Sequence, residues 1–344
     1  MDRTKVNIAK IFLEPYSRFH FGEYKIDHDL SLSDSSFFCH SDTLFSALIN
    51  QCDRLNDDPD SFVEAFKEDE ICISSVFYFF EKANCDPIYL LPKPVFIDKK
   101  VKISGAANKK QIQGVKFVSK AVWDKGFEYE KWNDIKSYVI LQGNIVLTKE
   151  EYDQFGFNRN SALVKKNTRP KNQVRRPKKQ ARRKEDGIYY QTDVMVCSPA
   201  GVKAGIYFFY DVEDENTKRQ FFNAVNVLCF SGLGGEQALL GRTPRKVPDF
   251  DQSLSFDSNK ARLASISLFS PTDEAELAAC TIYETSLRGG HKSGLSQNTD
   301  VVPMVMEGAE FTSSAKGCLV DLSLLPEKPI FRNGKVFLLP FESK

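Results

Sequence analysis

Between Lys165 and Lys184 the chain carries eleven basic residues and no acidic one, and this run limits what the rest can become. It contains Pro170 and Pro177 and almost no apolar side chain, so no core can be built from it. The expectation is a long loop or hairpin arm near the midpoint, with folded sequence on either side. Its 344 residues exceed the roughly 100 to 200 of an ordinary domain, so the chain reads as a domain over 1–165, a basic arm over 166–186 and a second domain over 187–344.

The run also concentrates charge. Of 47 Lys and Arg residues, the 36 outside it face all 46 Asp and Glu, a net of −10. Positive charge gathered from an otherwise acidic molecule into one stretch is the footprint of a polyanion-binding segment. A solvated loop that only aids solubility is the plainer alternative.

Hydrophobic residues at 42% and aromatics at 12% are ample for two cores. VNIAKIFLEP reads as a strand. HSDTLFSALINQCDRL reads as an amphipathic helix with Ser41 or Asp42 as N-cap and Leu44, Phe45, Leu48 and Leu55 facing inward. EICISSVFYFFEK and DPIYLLPKPVFI are apolar runs separated by Asn84, Cys85, Asp86 and Pro87, which predicts a hairpin. Strand, helix, strand, strand is the opening of a split βαβ, ferredoxin-like unit.

Beyond the arm a similar order recurs. GIYYQTDVMVC and AGIYFFYDV read as strands, and ENTKRQFFNAVNVLCF as a helix with Phe221, Phe222, Val225 and Leu228 on one side. SGLGGEQALLGR follows, then LASISLF, a short helix at DEAELAAC, and the strand-like VVPMVMEGAEF. The expected class is α+β, with two ferredoxin-like domains and a long basic loop near the middle.

Eight cysteines are scattered without a CxxC pair or a Cys/His cluster, which predicts buried free thiols and no metal site. No stretch approaches the roughly 18 uninterrupted apolar residues of a membrane helix, and charge interrupts the opening residues before any signal-length apolar run. The expectation is a cytoplasmic protein that does not engage a membrane.

For chemistry there are four histidines, none in HExxH, and no serine in GxSxG. His20 in RFHFG, or His40 at the start of the first helix, has the chemistry of a general base for RNA cleavage; a structural or phosphate-facing role is the alternative. SGLGGEQALLGR lacks the Lys-Ser/Thr of a Walker A loop and follows a helix, so nucleotide hydrolysis is not expected and no cofactor is implied. Its glycines suit either an RNA backbone approaching exposed N–H groups or a tight turn. RGGHKSG, with Arg288, His291 and Lys292, is either a second phosphate contact or a hairpin turn, and composition does not separate the two.

Taken together, FHFGE, CHSDTLFSAL, ISSVFYFF, YLLPKPVF, the arginine-rich middle leading into GIYYQTD, then GLGG, RGG and MEGAEF form a pattern. It resembles the RAMP-family (Cas5-like) subunit that caps the crRNA 5′ end in type III-A CRISPR complexes, the fourth subunit of the Csm set. The likeness runs from about Ile11 to Phe311. It implies two RAMP (RRM-like) domains that hold the crRNA 5′ handle without cutting RNA, and contacts to the large polymerase-like subunit and to the backbone RAMP subunits. Target RNA would be met only indirectly. The other reading on the same fold is a metal-independent endoribonuclease processing precursor crRNA.

Carried over residue by residue, the resemblance marks Phe19, His20, Phe21, Gly22, His40 and Ser41 as handle-binding positions. It also marks Arg169, Arg175 and Arg176 in the arm, and Gly232, Gly234 and Gly235 in the loop. In the family that loop usually continues with a basic residue and a serine, where this chain has Glu236 and Gln237. Arg242 is the candidate to restore the charge; otherwise the loop faces a protein. The expected mechanism sets phosphates on glycine-rich backbone and a helix N-terminus, with stacking side chains reading splayed bases.

Overall fold

A computed structural model describes residues 3–24, 32–104, 108–172, 188–235, 247–289, 300–323 and 329–342. The first stretch of chain gives β1 (Arg3–Phe12), β2 (Arg18–Phe19), α1 (Ser41–Leu55), α2 (Pro59–Lys67), β3 (Ile71–Ile73), β4 (Phe77–Lys82) and β5 (Ile88–Pro92). Up to the arm come α3 (Val95–Ser104), α4 (Lys109–Gly114), β6 (Phe117–Ser119), α5 (Lys120–Lys125), β7 (Tyr138–Leu141), β8 (Ile145–Thr148) and α6 (Lys149–Phe155). The arm and its sequel hold β9 (Val164–Asn172), β10 (Ile188–Val196), β11 (Val202–Val212), α7 (Glu215–Ser231) and β12 (Asp249–Asp257). The remainder is β13 (Arg262–Ser265), α8 (Glu274–Ala279), β14 (Cys280–Ile282), β15 (Thr285–Arg288), β16 (Val302–Val305), β17 (Glu310–Phe311), β18 (Leu319–Asp321), β19 (Phe331–Asn333) and β20 (Leu338–Phe341). The class is α+β, as the residue patterns predict. No described helix is long and apolar enough to cross a membrane.

The main sheet runs β12-β1-β11-β4-β5-β6-β8-β7, with β3 also on β11. Its first four strands, with α1 joining β1 to β4 and α7 joining β11 to β12, are the split βαβ of a ferredoxin-like unit. The unit is interrupted: everything from β5 to β10 is inserted between its second and third strands. The β4–β5 hairpin forms as expected, with Phe79 opposite Tyr89 and Phe80 opposite Ile88. The strand between β1 and β4, however, is β11, which pairs Ile8 with Phe209 and Gly205 with Phe79. Strands from 1–165 and from 187–344 therefore alternate in one sheet. A smaller sheet, β14-β17-β13-β20, encloses a second cluster around Phe269, Val305 and Phe311.

Alternation along β11 explains its apolar sequence. Ile206 and Phe208 meet Leu44 of α1 and Leu228 and Cys229 of α7, while Phe209 packs on Phe256 and on Phe337 beside the smaller sheet. With both faces covered, the strand has no place for alternating polar residues. On α1, Leu44, Phe45 and Leu48 are buried as predicted, but Leu55 in the last turn is 40% exposed. On α7, Phe221, Val225 and Leu228 are buried, whereas Phe222 is half-buried and stacks on Phe250 at 3.9 Å. The run DPIYLLPKPVFI is strand only as far as Pro92; from Val95 it is helix. Cys39, Cys52, Cys229 and Cys280 are buried thiols, and the other four cysteines are half-buried.

Gly205 marks the tightest point of the sheet, because a Cβ there would lie 2.2 Å from the Phe79 ring. Gly205→Ala is expected to lower stability by about 1 to 3 kcal/mol through displacement of that ring, read as a lower urea midpoint at unchanged slope.

Candidate nucleic-acid interface

The basic run begins as a strand. β9 and β10 pair antiparallel from Val164 opposite Val196 out to Asn172 opposite Ile188, so the described root of the arm is a β-hairpin. Arg175 and Arg176 lie outside the described residues. β2 joins the other edge of β10, setting Arg18 opposite Met195 and Phe19 opposite Val194. Residues opposed across antiparallel strands share a face, so the register sorts the charges. One face carries Arg18, Lys165, Arg169 and Lys171, together with Tyr189, Gln191 and Asp193. Arg18 and Lys165 flank Met195 at one end of this face, and burial pushes the nearby Cys197 thiol up while Lys165 and Arg18 pull against it.

The opposite face packs only at its near end, and further out its Thr168, Pro170, Asn172, Ile188 and Tyr190 are exposed. Thr192 donates its hydroxyl to the Ser33 carbonyl at 2.7 Å, and Lys166 pairs with Asp34 at 2.8 Å with its ammonium 5.1 Å from the centre of the Phe37 ring. On the other face Lys165 is exposed and Arg18, Arg169 and Lys171 are half-buried, while Gln191, Asp193 and Met195 are buried.

The glycine-rich loop extends the same layer. α7 ends at Ser231, and Gly232 and Gly234 have φ of 88° and 90°, backbone that favours glycine. Gly235 donates its N–H to the His20 carbonyl at 2.8 Å, and the two residues form an antiparallel bridge. His20 in turn donates Nδ1–H to the Thr192 carbonyl at 2.8 Å. A Cβ on Gly234 would stand 2.6 Å from the His20 oxygen, so this close approach requires glycine. The layer therefore reads β9, β10, β2, glycine loop, and His20 stitches it together.

Several expected contacts take other roles. Phe19, His20 and Phe21 are buried, and the two phenylalanines stack on each other at 5.4 Å rather than standing open for bases. Gly22 bridges to Ser35. The loop sits at the C-terminal end of α7, where the helix dipole is negative, so attraction for phosphate must come from the basic side chains. The N-terminus of α1 is closed by protein, because the Ser41 N–H donates to Ser75 Oγ at 2.8 Å. Arg242, His291 and Lys292 lie outside the described residues, as do Glu236 and Gln237.

His40, Ser41 and Arg288 belong to a separate, interior cluster. Arg288 is 5% exposed and is engaged inside the protein: its Nε and Nη2 donate to the two Asp42 oxygens at 3.0 and 2.9 Å. Arg332 Nη1 donates to the same carboxylate at 2.6 Å. Burial pushes the Asp42 carboxyl up, but Arg288, and after it Arg332, hold it well below the usual carboxylate range. Beside it, His40 Nδ1 donates to Glu307 at 2.8 and 3.0 Å, and the Ser75 hydroxyl donates to the same group. Burial raises Glu307, and His40 with Ser75 bring it net below its ordinary value. Sequence reasoning does not find Asp42, Glu307 or Arg332 as partners, nor Arg18 and Asp193 on the arm's face; a charged residue inside an apolar strand, as at Asp193, is the available signal. Among the described residues no group of His, Cys, Asp and Glu gathers to hold a metal ion.

No family model matches the sequence. A CRISPR system protein Csm4 of Methanocaldococcus jannaschii is 25% identical over 246 residues, which is 65% of this chain. The match spans 61% of that relative's length. Among solved structures, a chain of the Csm3-Csm4 subcomplex of the type III-A CRISPR-Cas interference complex superposes with a TM-score of 0.63 at 19% identity, covering 98% of this chain and 99% of that one. A chain of the Csm1-Csm4 cassette in complex with cA4 superposes at 0.59 with 16% identity, covering 99% of each. Over nearly its whole length the chain has the fold of the chains in these Csm4-containing structures. Within that fold the chain is Csm4-like.

Asp42→Asn leaves two arginines without their counter-charge, and stability at pH 7 is expected to fall by about 3 to 5 kcal/mol. Because the folded Asp42 value is depressed, its contribution is complete above the ordinary carboxylate range and is lost as pH falls. Denaturant titrations at pH 7, 4 and 3 should therefore show the gap between wild type and Asp42→Asn narrowing below about pH 4.

Proposed function

We propose that the chain is a non-catalytic RNA-binding subunit of a type III CRISPR effector complex. In this reading it holds the crRNA 5′ handle and joins the large polymerase-like subunit to the backbone RAMP subunits. The observation that carries the reading is the single layer in which one face of the hairpin root aligns Arg18, Lys165, Arg169 and Lys171 beside glycine-lined backbone. A ribose-phosphate strand is the ligand such a surface suits: cations neutralise phosphates, and backbone without side chains lets a chain approach closely. The likeness to Csm4, and to structures in which Csm4 occurs with Csm3 or with Csm1, supports the choice of partners.

The endoribonuclease reading gains no support from the histidines. His20 is 5% exposed with Nδ1 engaged by the Thr192 carbonyl, and His40 is 3% exposed with Nδ1 engaged by Glu307. A general base needs access to the proton that it takes, and both rings are interior.

The test is binding of labelled crRNA bearing its 5′ handle, measured across a salt series for wild type and for Arg175→Ala/Arg176→Ala. The double variant should bind more weakly, and the slope of log affinity against log salt should become shallower by about one for each phosphate that is no longer neutralised. Affinity and slope both at wild-type values would remove the arm from RNA binding. Incubation with repeat RNA in chelator tests the other reading; a defined cut that vanishes in His20→Ala or His40→Ala would establish an endoribonuclease.

A further inference from the structure

Among the described residues Asp193 is the one carboxylate on the otherwise basic face of the β2-β10-β9 layer, and it is fully buried. A negative charge there opposes phosphate binding unless it does something else. Its surroundings form a short chain of fixed groups. Gln191 Nε2 donates to Asp193 Oδ1 at 3.1 Å, and Arg169 Nη2 donates to Asp193 Oδ2. Gln191 is directly opposite Arg169 in the hairpin, and Asp193 lies two residues further along the same face. The chain ends at a guanidinium whose side chain is 37% exposed, while its carboxylate partner is 0% exposed. Arg169 Nε and Gln191 Oε1 are buried with no hydrogen-bond partner among the described residues.

We propose that Asp193 is a positioning residue that fixes Arg169 for contact with a phosphodiester of bound RNA, a role that rests on the RNA-binding reading given above. An unanchored arginine on an exposed strand samples many rotamers and loses that freedom on binding. Held through one nitrogen by a buried carboxylate, itself held by Gln191, the guanidinium is ordered in advance, and its planar fork keeps further donors for a phosphate. Among the described residues, Arg18, Lys165 and Lys171 on the same face have no such carboxylate anchor. Arg169 would thus set where the strand lies, and the others how strongly it is attracted.

The sign of one substitution separates this from simple electrostatics. Asp193→Asn removes a negative charge from a phosphate-facing surface, so charge alone predicts tighter crRNA binding. Positioning predicts binding weaker by roughly tenfold, about the worth of one charge-assisted hydrogen bond. Arg169→Lys keeps the charge and removes the fork; it should weaken binding nearly as much as Arg169→Ala. In the Arg169→Ala background, Asp193→Asn should change affinity no further. Binding of labelled crRNA by the full chain, with circular dichroism to confirm folding, reads all four proteins against wild type. Asp193→Asn at or above wild-type affinity, or Arg169→Lys at wild-type affinity, overturns the proposal. Should Asp193→Asn fail to fold, Arg169→Lys decides alone, because it leaves Asp193 paired with a cation. Wild type that does not bind crRNA at all overturns the functional reading itself, which is distinct from wild type that binds and variants that match it.

Discussion

A single buried negative charge holds much of this molecule in place. The Asp42 carboxylate opens the first helix of the ferredoxin-like unit and receives Arg288 from β15 and Arg332 from β19. A carboxylate or a guanidinium alone in the interior would be strongly unfavourable, so each of these groups requires the others. The result is directional in a way that apolar packing is not. Hydrophobic faces tolerate sliding, but three charged groups locked within hydrogen-bond distance admit one relative placement. Glu307 adds a second clasp of the same kind, tying the turn before β17 to His40 and Ser75. The smaller sheet is thereby fastened to the end of α1, and Phe337 beside it closes the face of β11 that the helices leave open.

The same fastening leaves the α1 N-terminus inside the protein, with Ser41 and Asp42 buried. The layer of β9, β10, β2 and the glycine loop is held by other means. Its cohesion is mostly main-chain, from Gly235 to His20 and along the β9–β10 ladder, with the His20 ring donating to the Thr192 carbonyl. Such a framework leaves outward side chains free to vary, and here they are basic. Charge and scaffold are separable, since Lys166 and Thr192 anchor one face while Arg18, Lys165 and Lys171 populate the other.

Much of this is visible in the residues. The strands at VNIAKIF and GIYFFYDV, the helices after His40 and Asp214 and the β4–β5 hairpin follow from local periodicity and turn chemistry, which a linear pattern reports directly. The concentration of charge after Val164 is equally plain. Two departures share one cause. Local order points to YLLP, the second strand of the β4–β5 hairpin, as the third strand of the ferredoxin-like unit, whereas β11 fills that position from far along the chain. Arg288 reads as a phosphate contact because it stands beside glycines, whereas its partner is Asp42, 246 residues away in sequence.

The amino-acid sequence by itself determined the class, the elements and the gathering of positive charge on one arm, because propensity, periodicity and net charge are properties of neighbouring residues. Tertiary structure alone decided which side chains share a face. Strand register assigns Arg169 and Lys171 to one face and Lys166 to the other, and a shift of a single residue would exchange them. Likewise, only folding could show that Asp42 is matched by two arginines and Arg169 by Asp193, since the energy of a buried charge depends on what surrounds it in space and not on what precedes it in the chain.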